Sequence, residues 1–426
     1  MKSKKVLALV TALTMVTSFA LAGCGGNSAT SEPEVKESVK AEESVKESVD
    51  TEGAKLTIFQ SKTEIMAELN KLAQAYTEET GVEVEVWETT GDSYYSDLKT
   101  SLSTESGATL FSLQPGSESR ELADYLDDLS GLSFINKIGA GMADTIDGKV
   151  VGIPYTVEGF GLVYDGDLVD PSTITTTDDL IKYLQESTAE NALGLSQEDY
   201  FLIAHILNAP FAVQADPAQY LSDVLAGNER LADNEAFVEF AKIMEAIRAN
   251  CKNPVDITYD NNCGDFATGK TAMIHQGNWC SGMFTDYDIN FDMAIAPVPV
   301  LGNKKISVSV PIAWYVNLDA TDAERQLAKD FLEWLYTSET GISYLMNNFN
   351  FIPVVDGMEN TNLDPINQSV SAAVISGNTI PWVMSNWPAG IVSTDLAPIT
   401  SEFFTSDMSG TDLLNKLNDA FVAAAK

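Results

Sequence analysis

Four tryptophans stand where the chain turns rather than where it repeats. Trp279, Trp314, Trp382 and Trp387 lie next to Pro, Asn or small residues and outside any helical stripe. At a loop edge an indole offers a flat apolar face while its N–H finds water or an acceptor. Sugars present matching C–H faces, rimmed by hydroxyls that carboxylates and amides can bind. Carbohydrate contact is therefore one expectation for these rings, and core packing is the alternative for each. Other chemistry has little to work with. The two histidines are far apart: His205 falls in an apolar helical run and His275 in a strand-like piece, and both read as structural. No His-rich metal motif, Gly-rich phosphate loop or nucleophile elbow occurs. Asp260-Asn261-Asn262 with Asp265 misses the spacing of a calcium loop and reads as a turn. Acids are abundant, but abundance does not single out a glycosidase pair. Neither a catalytic set, a metal nor a cofactor is expected, so the chain reads as a binder and not an enzyme.

These residues need a scaffold, and its pattern alternates strand and helix. Residues 55–61 read as a strand, and 64–79 place Ile65, Leu69, Leu72 and Tyr76 on one helical face. Gly81 stops that helix, and Val82, Val84 and Val86 alternate with acids as a second strand. A helix over 93–102 and a strand over 108–113 follow. This repetition predicts an α/β domain with a mainly parallel sheet. Residues 172–250 are largely helical, clearest over 235–249. Strands return at 291–299 and 306–318, and long helices at 321–346 and 410–425 complete the chain.

The beginning of the chain is of another kind. Lys2, Lys4 and Lys5 precede an apolar run from Val6 to Leu21, too short to span a bilayer comfortably. It ends in Leu21-Ala22-Gly23-Cys24, which resembles the bacterial lipobox, where the cysteine is diacylated and becomes the mature N-terminus. Residues 1–23 are therefore expected to be a lipoprotein signal peptide. Residues 24–53 follow as a tether: they carry no aromatic, and Val35-Lys36-Glu37-Ser38-Val39 recurs as Val45-Lys46-Glu47-Ser48-Val49. So biased a segment cannot bury enough apolar surface to offset its ordering entropy. The expected location is the outer side of a Gram-positive cell membrane. The net charge of −37 argues against nucleic acid as a partner. Beyond Cys24 there remain Cys251, Cys263 and Cys280, and an odd count leaves at least one thiol free. Three free thiols is the preferred reading.

One segment resembles a known family. Residues 148–164, Gly-Lys-Val-Val-Gly-Ile-Pro-Tyr-Thr-Val-Glu-Gly-Phe-Gly-Leu-Val-Tyr, look like the hinge of extracellular solute-binding proteins of family 1, oligosaccharide-binding lipoproteins of ABC importers. Gln197-Glu198-Asp199-Tyr200-Phe201 is similar to a sugar-contacting element of that family. Residues 266–274, followed by Gly277-Asn278-Trp279, match its helix end, strand and stacking tryptophan. Phe349-Asn350-Phe351-Ile352-Pro353-Val354 resembles the element after which the chain returns to the second lobe. The loop Gln114-Pro115-Gly116-Ser117-Glu118 departs from the family pattern, which puts the identity of the sugar in doubt.

The resemblance implies a two-lobed α/β binding protein of the second structural class with three hinge crossings, near 163–167, 297–311 and 352–358. Residues 54–164 and 298–354 would form one lobe, and 165–297 and 355–426 the other. The implied ligand residues are Glu158, Tyr155, Glu198, Tyr200 and Trp279, joined by Trp314 and Trp387 from the tryptophan pattern. The expected function is capture of an oligosaccharide and its delivery to an ABC permease. A binder of another solute, such as a polyamine, metal complex or polyol phosphate, is the alternative. A lipid-anchored carbohydrate-active enzyme is a third reading.

Overall fold

The computed structural model describes residues 51–426 apart from Glu52 and Glu105. The expected signal peptide, Cys24 and nearly all of the expected tether lie outside the described residues. The strands are β1 (Leu56–Phe59), β2 (Val84–Val86), β3 (Leu110–Leu113), β4 (Asp144–Ile146), β5 (Lys149–Pro154), β6 (Glu158–Asp165), β7 (Met273–Gly277), β8 (Met293–Ala296), β9 (Ile306–Ser309), β10 (Ala313–Val316) and β11 (Thr379–Ile380). They form two sheets, each covered by helices, in two α/β lobes.

The first sheet runs β2-β1-β3-β10-β5-β4. β1 pairs parallel with β2 and β3, whereas β10 is antiparallel to both of its neighbours, with Ala313 opposite Leu113. The helix Met66–Thr80 covers this sheet with Leu69, Leu72, Ala73 and Tyr76, and Gly81, at φ 78, ends it in the left-handed region open to glycine. On the returning part of the chain Thr321 and Glu324 form a capping box that starts the helix Asp322–Thr337. Its Phe331 meets Tyr76 edge to face at 5.0 Å.

The second sheet runs β11-β9-β6-β7, with β8 also on β6. One edge of β6 is shared, because β9 takes Glu158–Phe160 and β8 takes Leu162–Asp165. The helix Glu235–Asn250 supplies Phe237, Phe240, Ile243, Met244 and Ile247 to this lobe's core. Cys251, Cys263 and Cys280 are all free thiols. No described helix is long and apolar enough to cross a membrane.

Where the chain changes sheet differs from the sequence expectation. β6 lies wholly in the second sheet, so the first crossing falls at Tyr155-Thr156-Val157, upstream of 163–167. The expected strand 306–318 is two strands in different sheets, broken at Val310-Pro311-Ile312, which is the second crossing. At both places the chain is extended on either side of the break and only its pairing partner changes, so the strand pattern alone did not show them. The third crossing follows Asp356, because Val354–Asp356 still pair with Lys137–Gly139 of the first lobe. The three are stitched together: Tyr155 N–H donates to the Ile312 carbonyl at 3.1 Å. Thr156 Oγ1 accepts from Ile352 N–H at 2.9 Å and lies 3.0 Å from the Ile352 carbonyl.

Candidate functional site

A cavity of about 880 Å³ lies between the lobes. The first lobe contributes the turn after β1 with Lys62 and Glu64, the region of Asp92, Tyr94 and Tyr95, and Gln114 and Glu118 after β3. The second lobe contributes Glu158, Glu198, Tyr200, Phe201, His205, Tyr259, Trp279, Trp382 and Met384 among others.

Aromatic rings build the second-lobe wall. Tyr200–Ala204 is a widened π-turn leading into the helix His205–Ala212, a local departure that places Tyr200, Phe201 and His205 all on the cavity. Phe201 lies nearly parallel to Trp279, 16° between planes at 6.1 Å, and Trp382 meets Trp279 edge-on at 6.3 Å. Trp279 Nε1 donates to Gln276 Oε1 at 2.8 Å. Its ring packs so closely on the backbone before it that a Cβ at Gly277 would come within 2.1 Å of it. Glycine there is a steric requirement of the tryptophan's seat.

The floor is ionic. Lys62 Nζ lies 2.7 Å from Glu158 Oε1 and 2.6 Å from Glu64 Oε1, and all three side chains are largely buried. Burial opposes charge on Lys62, but the two carboxylates outweigh it and hold its pKa above the ordinary lysine range. Burial raises Glu158, against the pull of Lys62. This pair joins the first strand of the second sheet to the first lobe.

Near the mouth the lobes touch again. Tyr200 Oη donates to Glu118 Oε1 at 3.3 Å, Gln114 Nε2 to Ser385 Oγ at 3.2 Å, and Arg120 to Asn386 Oδ1 at 2.7 Å. Gly116, at φ 120, brings its backbone against Ser385, where a Cβ would sit 2.2 Å from the carbonyl oxygen. Burial pushes the Glu118 carboxyl up to about 7, against its hydrogen bonds from Gln114 and Tyr200. Burial and the facing charge of Asp199 push Asp92 up to about 6. His205 is held neutral by burial, far below its ordinary value.

The cavity wall also carries polar atoms that the protein leaves unpaired. His205 Nδ1, Trp382 Nε1 and Glu198 Oε2, on residues that line the cavity, are buried behind its surface without a hydrogen-bond partner, and the Tyr259 hydroxyl meets the Cys263 thiol. Such groups cost about 1–3 kcal/mol each when nothing satisfies them. The other oxygen of Glu198 accepts from Tyr259 N–H at 2.8 Å, at the start of the helix Tyr259–Ala267. Among the described residues no cluster of His, Cys, Asp and Glu is arranged to hold a metal ion.

Of the residues expected from sequence, Glu158, Glu198, Tyr200 and Trp279 line this cavity. Three others do not. Tyr155 stacks on Trp314 at 4.0 Å beneath the hinge, with Trp314 only 1% exposed on the central strand β10. Trp387, 2% exposed, is wedged between Phe211 and Phe421 in the second-lobe core, and borders only a separate void of about 10 Å³. The physical reason is common to all three: sheets and helices covering both sides leave these rings no cleft face. Trp382 replaces them. It belonged to the loop-edge tryptophan pattern, which did not separate it from Trp387.

Two α/β lobes joined by three stitched crossings around a cleft lined by aromatic and polar side chains define a solute-binding protein. The sequence agrees: residues 71–398 match the bacterial extracellular solute-binding protein family, and the chain belongs to it. Solved structures share the fold. The solute-binding protein RafE in complex with raffinose superposes with a TM-score of 0.75 at 18% identity, covering 87% of this chain and 100% of that one. A chitin oligosaccharide binding protein gives 0.71 at 16% identity, covering 87% and 99%. A sugar transporter protein from Bacillus licheniformis in complex with stachyose gives 0.69 at 14% identity, covering 87% and 100%.

Proposed function

We propose that this chain captures an oligosaccharide in the interlobe cleft and delivers it to the permease of an ABC importer. The observation that carries this is the second-lobe wall of the cleft, where the rings of Trp279, Phe201 and Trp382 stand beside the polar side chains of Glu158, Glu198 and Tyr200. Apolar faces bordered by hydrogen-bonding side chains match the two chemistries of a sugar ring. The cavity has room for several sugar units. That structures of the same fold are described with raffinose, chitin oligosaccharide and stachyose supports the same class of ligand. Glu158, Glu198, Tyr200, Trp279 and Trp382 are the proposed contacts. Binding without turnover is the proposed chemistry, so bound glycans are released unaltered. Diacylated Cys24 anchors the protein to the outer face of the membrane, and the segment 24–53 gives it reach.

A thermal-shift screen of neutral oligosaccharides of two to five units, α- and β-linked, tests this. Ligand that binds only the folded state raises the melting temperature with concentration. At least one series is expected to do so and to be recovered intact afterwards. No shift from any of them, or cleavage of the one that binds, would contradict the proposal. Palmitate labelling lost in Cys24→Ser checks the anchor.

A further inference from the structure

Glu158 and Trp279 stand on neighbouring strands at the point where those strands part. The ladder between β6 and β7 ends at the pair Phe160–Gly277. One residue beyond it lie Gly159, which follows Glu158, and Asn278, which precedes Trp279. There a side chain takes over from the ladder: Asn278 Oδ1 accepts from Gly159 N–H at 2.8 Å. Asn278 is 4% exposed and is not among the residues that line the cleft.

The other end of its amide is anchored. Asn278 Nδ2 donates to Asn367 Oδ1, and Asn367 Nδ2 donates to Asp364 Oδ2. Asp364 caps the helix Pro365–Ser376, its second oxygen accepting from Ile366 N–H at 2.9 Å and from Asn367 N–H at 3.1 Å. Asn350, at φ 54 on the far side of the third crossing, donates to Asp364 as well. The direction of this chain is fixed at both ends. A backbone N–H can only donate and a carboxylate accepts, so each amide between them has one orientation that satisfies both neighbours. The links are buried or half-buried, so a broken one is not simply replaced by water.

We propose that Asn278 is a positioning residue of the cleft. It holds the backbone beside Glu158 at a set distance from the turn that carries Trp279, and Asn367 and Asp364 hold its amide in the orientation that does so. A sugar that stacks on the indole and bonds the carboxylate needs both at once, and a misplacement of about 1 Å is enough to lose one of them. This rests on the sugar-binding proposal above and extends it to a residue outside the cleft lining.

Two measurements on the mature chain test it. The first uses no sugar. Fluorine NMR of the protein carrying 5-fluorotryptophan gives a signal for each of the six tryptophans, with that of Trp279 assigned from Trp279→Phe. Asn367 lies one hydrogen bond from Asn278. In Asn367→Ala the Trp279 signal is expected to shift or broaden, with those of Trp314 and Trp387 unmoved. The second measurement is titration calorimetry with stachyose and with chitotriose. Asn278→Ala is expected to weaken binding about tenfold. In that background Trp279→Ala should cost only about threefold, far below its effect in the parent, because the ring is already displaced. A Trp279 signal that stays in place in folded Asn367→Ala overturns the inference, and so do losses from Asn278→Ala and Trp279→Ala that simply multiply. If Asn278→Ala does not fold, Asn367→Ala takes its place in the titrations. Loss of the fold in both variants assigns the network to stability alone and overturns the inference too. Where neither sugar binds the parent, the neutral-oligosaccharide screen above decides the sugar-binding proposal, and the fluorine signal alone decides the positioning.

Discussion

Two pairs of tryptophans sit in the same kind of sequence and do different work. Trp314 and Trp387 are sealed, one stacked on Tyr155 under the hinge, the other between Phe211 and Phe421. Trp279 and Trp382 face the cleft and each other. The contrast is not one of burial alone, since Trp382 is only 5% exposed. It lies in what surrounds the ring: the sealed pair is packed within the lobe interiors, whereas the cleft pair lines the interlobe cavity. A buried aromatic becomes a binding surface when one of its faces borders an enclosed volume rather than a neighbour.

Truncating the sealed pair should strike stability hardest. Trp387→Ala and Trp314→Ala each remove a fully packed indole, and losses of about 3–5 kcal/mol are expected in chemical denaturation. The affinity of the folded fraction should not change. A large loss of affinity with normal melting would move that residue from the interior group to the cleft group.

Breaking the floor is next. Lys62→Met leaves Glu158 and Glu64 buried and uncompensated, and about 3–5 kcal/mol of stability should go with it. A melting temperature within a degree of the parent would show that the pair is more solvated than its burial indicates.

For the cleft pair the signs reverse. Trp279→Ala removes a face worth roughly 1.5–3 kcal/mol of apolar contact, so sugar affinity should fall about ten- to a hundredfold with little change in melting. Gly277→Ala sharpens this without touching the indole itself. The added methyl meets the ring at 2.1 Å, so affinity should drop because Trp279 is displaced. Undiminished affinity in that variant would show that the ring need not sit where it does.

The smallest expected effect concerns pH. The Glu118 carboxyl is raised to about 7 where the lobes meet. A group whose pKa is raised on closing takes up a proton as it closes. The closed form therefore gains stability that is fully present below the ordinary carboxyl value and lost as pH rises through about 7. Without ligand, the closed fraction should fall between about pH 5 and 8, read by fluorescence transfer between labels on the two lobes. Glu118→Gln should flatten the profile. An unchanged profile in that variant would assign the dependence to other groups, Asp92 first.

Much of this was legible in sequence. The helix face of Leu69, Leu72 and Tyr76, the stop at Gly81 and the alternating Val84–Val86 strand follow from periodicity and glycine chemistry alone. The segments containing Glu158, Glu198, Tyr200 and Trp279 were legible by resemblance. The sheet changes at Thr156 and Pro311 were not, because the chain stays extended through both and only the strand it pairs with changes. Nor could sequence separate Trp382 from Trp387, five positions apart in similar loops. Which of them borders the cleft depends on the helix His205–Ala212 packed between the cavity and the core.

The most direct measurement is a crystal structure of the mature chain with the tightest-binding oligosaccharide of the neutral screen. The expected result places a sugar ring against the Trp279 indole, with hydroxyls on the side chains of Glu158, Glu198 or Tyr200, and Trp314 and Trp387 untouched. A sugar bound outside this cavity, or one that leaves Glu158, Glu198, Tyr200 and Trp279 without contact, would contradict it.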